Sequence, residues 1–182
     1  MGHAVLVVLA LLQAGCITAA AWTTYEVATD ERSVERQHLD TEIAITIKTR
    51  LLESPVPGSG WVEVYCRHGV VILTGVVENG SQAGREAIAI ARRVEGVKRI
   101  ETYFVPSRPS VVSDYAIKLK LSARVVWDWD LRASQVSSSV LGGHVVLVGV
   151  VDHPDKVKRI VGHAQATGGV VAVKSFIQIA EP

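Results

Sequence analysis

The chain has 182 residues, with 19 lysines and arginines against 18 aspartates and glutamates, for a formal charge of +1. That balance excludes a global field drawing the protein onto nucleic acid or an anionic bilayer, so charged recognition must come from a local patch. Cys16 and Cys66 are the only cysteines, too few for a small exported domain held by disulfides, and the length suits one ordinary domain or two small ones.

The first feature along the chain is an apolar run, Ala4 to Leu12, closed by Gln13-Ala14-Gly15-Cys16. It is shorter than the roughly 20 apolar residues a spanning helix needs and has the length of a secretory h-region. The segment resembles the lipobox of bacterial lipoproteins. That resemblance implies a diacylglyceryl group on the Cys16 sulfur, cleavage just before it, and acylation of the new amine. Two features depart from the pattern. Gln13 stands where the lipobox has leucine, and Met1-Gly2-His3 carries no lysine or arginine. The same residues also fit a plain secretory peptide cut near Ala14 or Ala19–Ala21, or a buried apolar helix. From Ile17 to His38 the chain is polar without a sustained period. It reads as a solvated tether, able to reach about 70 Å if extended at ~3.3 Å per residue.

The rest of the sequence is one unit written twice. Gly69-Val70-Val71-Ile72-Leu73-Thr74-Gly75-Val76-Val77 returns as Gly143-His144-Val145-Val146-Leu147-Val148-Gly149-Val150-Val151. Each copy is followed by a helix-compatible stretch, a Gly-Val pair (Gly96-Val97, Gly169-Val170) and a β-branched run. In the first copy Asp40 is the expected cap of a helix running to Glu53, with Ile43, Ile47 and Leu51 on one face. Trp61–Arg67 and Val70–Val77 predict a hairpin about His68-Gly69. Cys66 shares the alternation of Val62 and Val64, as a small buried side chain does. Asn79 is the expected cap of a second helix with Ala83, Ala87, Ala91 and Val94 inward, ended by Gly96. Arg99–Val105 is the last strand. In the second copy Asp114 caps, and Ile117, Leu121 and Val125 repeat the apolar face. Gln135–Leu141 and His144–Val151 form the hairpin, Pro154 opens the next helix, and Ala172–Ile179 closes the unit. Gly75 and Gly149 sit mid-strand, where glycine weakens a sheet. Their shared register predicts a helix packed too close for a side chain. Residues 106–113 join the units.

This arrangement resembles the BON domain (bacterial OsmY and nodulation), an αββαβ module. The residues that carry the resemblance are Gly69, Val71, Leu73, Gly75 and Val77 with Gly96-Val97, and Gly143, Val145, Leu147, Gly149 and Val151 with Gly169-Val170. The expected fold is α+β: two tandem αββαβ units, each a small mixed sheet with two helices on one face. The expected division is a signal peptide over 1–15, a lipidated N-terminus and linker over 16–38, and domains over 39–106 and 112–180. Asp30-Glu31-Arg32-Ser33-Val34 also resembles the segment after the acylated cysteine in dual-BON outer-membrane lipoproteins, with Glu35 where glycine is usual. The resemblance implies a non-enzymatic periplasmic protein that binds phospholipid or the envelope surface and supports outer-membrane integrity. Ile17 after Cys16, in place of the aspartate of inner-membrane lipoproteins, favours the outer membrane, on its inner leaflet. Some relatives are soluble and tied to osmotic stress, so the alternative is a soluble stress protein or chaperone binding unfolded proteins.

No catalytic constellation emerges from the residues. The histidines at 3, 38, 68, 144, 153 and 163 do not pair as metal ligands on one helical face, and no phosphate loop or nucleophile elbow appears. No cofactor, metal or nucleic-acid partner is expected. His68 and His144 read as solvated turn residues. Asp128 and Asp130, alternating with Trp127 and Trp129, read as a capped turn with aromatic packing.

Two surfaces are candidates for binding. At 100° per residue, Tyr115, Leu119, Ser122 and Val126 fall on a face separate from the core residues of the same helix. Lys118, Lys120 and Arg124 lie beside them. Aromatic and aliphatic groups next to lysines suit the boundary of an anionic phospholipid surface. An alternative is that Leu119 packs on the other unit and the lysines are simply solvated. The second surface is the far side of each hairpin, with Val70, Ile72 and Val76, and Val146, Val148 and Val150. Such apolar faces are covered in soluble proteins, here by the other sheet, by an envelope protein or by a second copy.

Overall fold

The computed structural model describes residues 32–78, 80–106, 112–128, 131 and 135–180. Cys16 and the apolar run before it, Asn79, Trp129 and Asp130 lie outside the described residues.

Helix α1 (Val34–Glu53) begins earlier than Asp40, inside the stretch that reads as tether. Its cap is Ser33, whose hydroxyl accepts the Arg36 amide at 3.2 Å. Ile43, Ile47 and Leu51 are buried along one face, as the four-residue spacing requires. A 3-10 turn, Ser59–Trp61, takes the place of the expected strand start. Then come β1 (Glu63–Arg67), β2 (Val70–Val76), α2 (Gln82–Arg92) and β3 (Arg99–Val105). Ser81, whose hydroxyl accepts the Gly84 amide at 3.1 Å, caps α2. The second unit repeats the order with α3 (Asp114–Val126), β4 (Val136–Leu141), β5 (His144–Val151), α4 (Pro154–Gln165) and β6 (Ala172–Ile179).

Each sheet has its middle strand paired antiparallel to the strand before it and parallel to the strand after the crossover helix, in the orders β1-β2-β3 and β4-β5-β6. Alternation along β2 and β5 divides the apolar residues between two faces. Val71 and Leu73 pack under α1 and α2, and Val145, Leu147 and Val151 under α3 and α4. The opposite faces meet. Ile72, Val105, Leu141, Val146 and Val148 form a third buried cluster, with Tyr65, Val70, Val76, Tyr103 and Phe176 against it. The two sheets therefore cover each other, with helices outside on both sides.

Gly75 and Gly149 have a different cause from the one expected. A Cβ on Gly75 would stand 3.2 Å from the carbonyl oxygen of Trp61, and one on Gly149 only 2.2 Å from that of Gln135. The close approach is made by the backbone entering the first strand of each hairpin, not by a helix.

Asp40 also has a different task. It is 1% exposed and lies within α1, where it cannot cap. Its carboxylate accepts the amides of His68 and Gly69, at 2.8 and 2.9 Å, the Cys66 thiol at 3.4 Å and the Arg32 guanidinium at 2.7 Å. It thus fastens α1 to the β1–β2 turn, where His68 and Gly69 both have positive φ. Burial opposes the charge. The Gly69 amide, Arg32, the His68 amide and Cys66 together outweigh it and hold the Asp40 pKa below the ordinary carboxylate value. Asp114 repeats the device. It is the first residue of α3, behind the cap Ser113, and its carboxylate accepts the amides of Gly142 and Gly143 at 2.7 and 2.8 Å.

Candidate functional site

Helix α3 is fixed at both ends. At its start, Ser113 and Asp114 hold it as described. At its end, Asp128 binds Arg159 of α4 and the His163 ring, the latter at 2.8 Å. Ile117 and Leu121 face the core. The rest of the surface is open: Tyr115 is 77%, Leu119 61% and Val126 67% exposed. Lys118, Lys120, Ser122 and Arg124 are exposed on the same helix. Leu119 does not pack on the other unit. Trp127, expected in an aromatic cluster, is instead 86% exposed at the helix end, beside Arg124, Arg159 and His163. A long apolar and aromatic strip bordered by three cations results.

Helix α1 carries half of this pattern. Ile45 and Leu52 occupy the positions of Leu119 and Val126 and are similarly exposed. Ala44 and Thr46 stand where α3 has Lys118 and Lys120. The nearby Lys48 donates to the carbonyls of Gly60 and Val62. Arg50, exposed, repeats Arg124, so the lysine pair is what the second unit alone adds.

The structural glycines fall at matched places. Gly69 and Gly143 lie in the hairpin turns, and Gly96 and Gly169 in the turns before β3 and β6. The carbonyls of Gly69 and Gly143 accept the Lys98 and Val171 amides, at 2.9 and 2.8 Å, which ties each hairpin to its third strand.

The two histidines read as solvated turn residues prove to be seam residues. His144 Nδ1 is 2.8 Å from the Tyr103 hydroxyl, and His68 Nδ1 is 3.1 Å from Gln178 Oε1. Ser139 donates to Glu63 at 2.6 Å, and Tyr65 donates to the same carboxylate at 3.0 Å. Burial, and then the Glu63 charge, raise the Tyr65 pKa. Among the described residues no three His, Cys, Asp or Glu side chains gather as a metal site, and no helix is long and apolar enough to cross a membrane.

The BON domain matches the sequence twice, over residues 39–105 and 113–181. The chain belongs to the BON-domain family. Among known proteins, the BON repeat pair is 28% identical over 145 residues to the Osmotically-inducible protein Y of Escherichia coli (strain K12), covering 76% of this chain and 72% of that protein. It is 24% identical over 145 residues to the "Uncharacterized protein in gshII 5'region" of Anaplasma centrale, covering 77% of this chain and 94% of that protein. A solved structure of CdsD, a structural protein of the type III secretion system of Chlamydia trachomatis, aligns at a TM-score of 0.33 and 17% identity. That alignment covers 78% of this chain and 63% of CdsD, so the chain spans less than two thirds of it. A likeness that loose bears no inference.

Proposed function

We propose that this protein is a non-enzymatic component of the cell envelope, held in the periplasm by a lipid on Cys16 and touching phospholipid through α3. The observation that supports it best is the exposed strip of Tyr115, Leu119, Val126 and Trp127 with Lys118, Lys120 and Arg124 around it. Rings of this kind settle at the headgroup level while cations meet anionic heads. The anchor supplies location, the tether supplies reach, and a weak helix contact is enough because tethering raises its effective concentration. The membrane is the outer one, on its inner leaflet, by the residue after Cys16, and the role is support of its integrity. Likeness to the osmotically inducible protein supports service under osmotic stress.

The alternative, a soluble chaperone using its apolar sheet faces, meets an obstacle. Those faces are buried against each other, so the seam would first have to open. Self-association or an envelope partner through the same faces meets the same obstacle.

Sedimentation with phosphatidylglycerol vesicles tests the helix. The soluble fragment, without the Cys16 lipid anchor, should pellet with them and not with phosphatidylcholine. Tyr115→Ala with Lys118→Glu and Lys120→Glu should lose most of that binding. Equal pelleting of the triple variant would remove α3 from the mechanism. Fractionation of wild type against Cys16→Ala tests the anchor, and two equally soluble proteins would end that part of the reading.

A further inference from the structure

A cleft of about 430 Å³ opens where the two units meet. Arg32, just before the α1 cap, and Arg36 in the first turn of α1 line it with His68 of the β1–β2 turn and Lys98 on the approach to β3, and the end of β6 closes it with Gln178. Among the described residues no carboxylate lines it. Arg32 is engaged by the buried Asp40 at 2.7 Å, which makes that pair neutral. The side chains of Arg36 and Lys98 make no hydrogen bond or ion pair among the described residues. Gln178 Nε2 donates to the Arg67 carbonyl at 3.2 Å, which leaves Oε1 to accept from His68 Nδ1. That contact ties the two units together at the cleft wall.

We propose that this cleft is an anion site for a phosphate group, gripped by Arg36 and Lys98. Two uncompensated cations in one concavity fit a phosphate better than a neutral ligand, and a guanidinium takes two of its oxygens at once. The start of the 20-residue helix α1 adds a favourable dipole to a site the cations already define. The cavity is larger than a bare phosphate and falls in the size range of small-molecule pockets, so it accommodates the group that a phosphate ester carries. Because its lining comes from both units, an occupant ties them together. The site is separate from the α3 strip and does not depend on it.

Thermal melting of the full chain tests this, with inorganic phosphate and glycerol 3-phosphate titrated against sodium chloride of equal ionic strength. Phosphate or its ester should raise Tm by at least about 2 °C where chloride does not, since a ligand of the native state stabilises it by mass action. Arg36→Glu with Lys98→Glu should abolish that rise. Neither side chain has a partner among the described residues, so the unliganded Tm should stay near wild type. An equal rise in wild type and double variant, or none with either ligand, overturns the proposal. The source of the phosphate is read from two further arms. Tighter binding of the glycerol ester, with loss of phosphatidylglycerol vesicle binding when Arg36→Glu/Lys98→Glu is placed in the soluble fragment without the Cys16 lipid, identifies a lipid headgroup. Equal or tighter binding of inorganic phosphate, with vesicle binding unchanged, identifies free phosphate. Lys118→Glu/Lys120→Glu should keep the phosphate response, which separates failure of this site from failure of α3.

Discussion

The Asp40 carboxylate accepts the Gly69 amide at 2.9 Å across 29 residues of chain, and the Asp114 carboxylate accepts the Gly143 amide at 2.8 Å across the same interval. Each unit thus has a helix-borne acid holding its hairpin turn. The two acids differ in what else they bind. Asp40 is paired with Arg32 and buried, whereas Asp114 is partly exposed and makes its two bonds to amides. Asp40→Asn removes the negative charge held against a buried guanidinium and should cost about 3–5 kcal/mol. Asp114→Asn should cost about 1–3 kcal/mol, the range for amides left without an acceptor. Urea unfolding of the two variants checks the order.

Stability should fall at both ends of the pH scale, for reasons one residue apart in space. Asp40 has a lowered pKa, so its contribution is present above about pH 4 and disappears as pH drops through the folded value. Cys66 is the reverse case. Burial, followed by the Asp40 charge and hydrogen bond, pushes its thiol up to about 12. Its contribution is complete below about pH 8.5, the unfolded thiol value, and decays above it. Between about pH 8.5 and 10 the wild type should lose up to about 2 kcal/mol from this group. Cys66→Ser keeps a donor for Asp40 without a titrating thiol and should flatten that limb. Denaturant midpoints at pH 7.5 and 10 make the comparison.

Gly149→Ala and Gly75→Ala should not be equivalent. At Gly149 the added carbon meets a carbonyl oxygen at 2.2 Å and the Val136 Cα at 2.9 Å, whereas at Gly75 the nearest backbone atom is 3.2 Å away. Backbone must move in the second unit, while a small adjustment suffices in the first. Gly149→Ala should cost about 3 kcal/mol and Gly75→Ala about 1 kcal/mol, the span expected for overpacking. Tm values of the two variants decide it.

Thr74 lies in β2 on the seam side, fully buried, and its hydroxyl has no hydrogen-bond partner among the described residues. The second unit has Val148 at the same register, buried in the seam cluster. Thr74→Val should therefore stabilise the protein by about 1 kcal/mol, because an unsatisfied buried hydroxyl is replaced by a methyl of the same shape. A variant that melts lower than wild type would show that Thr74 has an acceptor after all.

The repeat, the two hairpins and the inward faces of the helices were legible because periodicity reports burial directly. The role of Asp40 was not. An aspartate near a helix start reads as a cap, and its true partners stand 28 and 29 residues away. The recurrence at Asp114 was the available signal. The need to cover Val70, Ile72, Val146 and Val148 was visible, but valines carry no mark of the partner they meet. The histidine contacts across the seam followed from that same unread pairing. Trp127 reads from the sequence as part of a capped turn with aromatic packing, yet an exposed tryptophan beside three basic groups is what makes the α3 strip distinctive.

The layering of helices, sheet, sheet, helices has a directional consequence. The outward sides of α1 and α3 look away from each other, so a flat surface pressed against one leaves the other uncovered. A molecule resting on Leu119 and Trp127 turns Ile45 and Leu52 toward the aqueous space behind it. It is two-sided by construction, with the lysine pair on one side only.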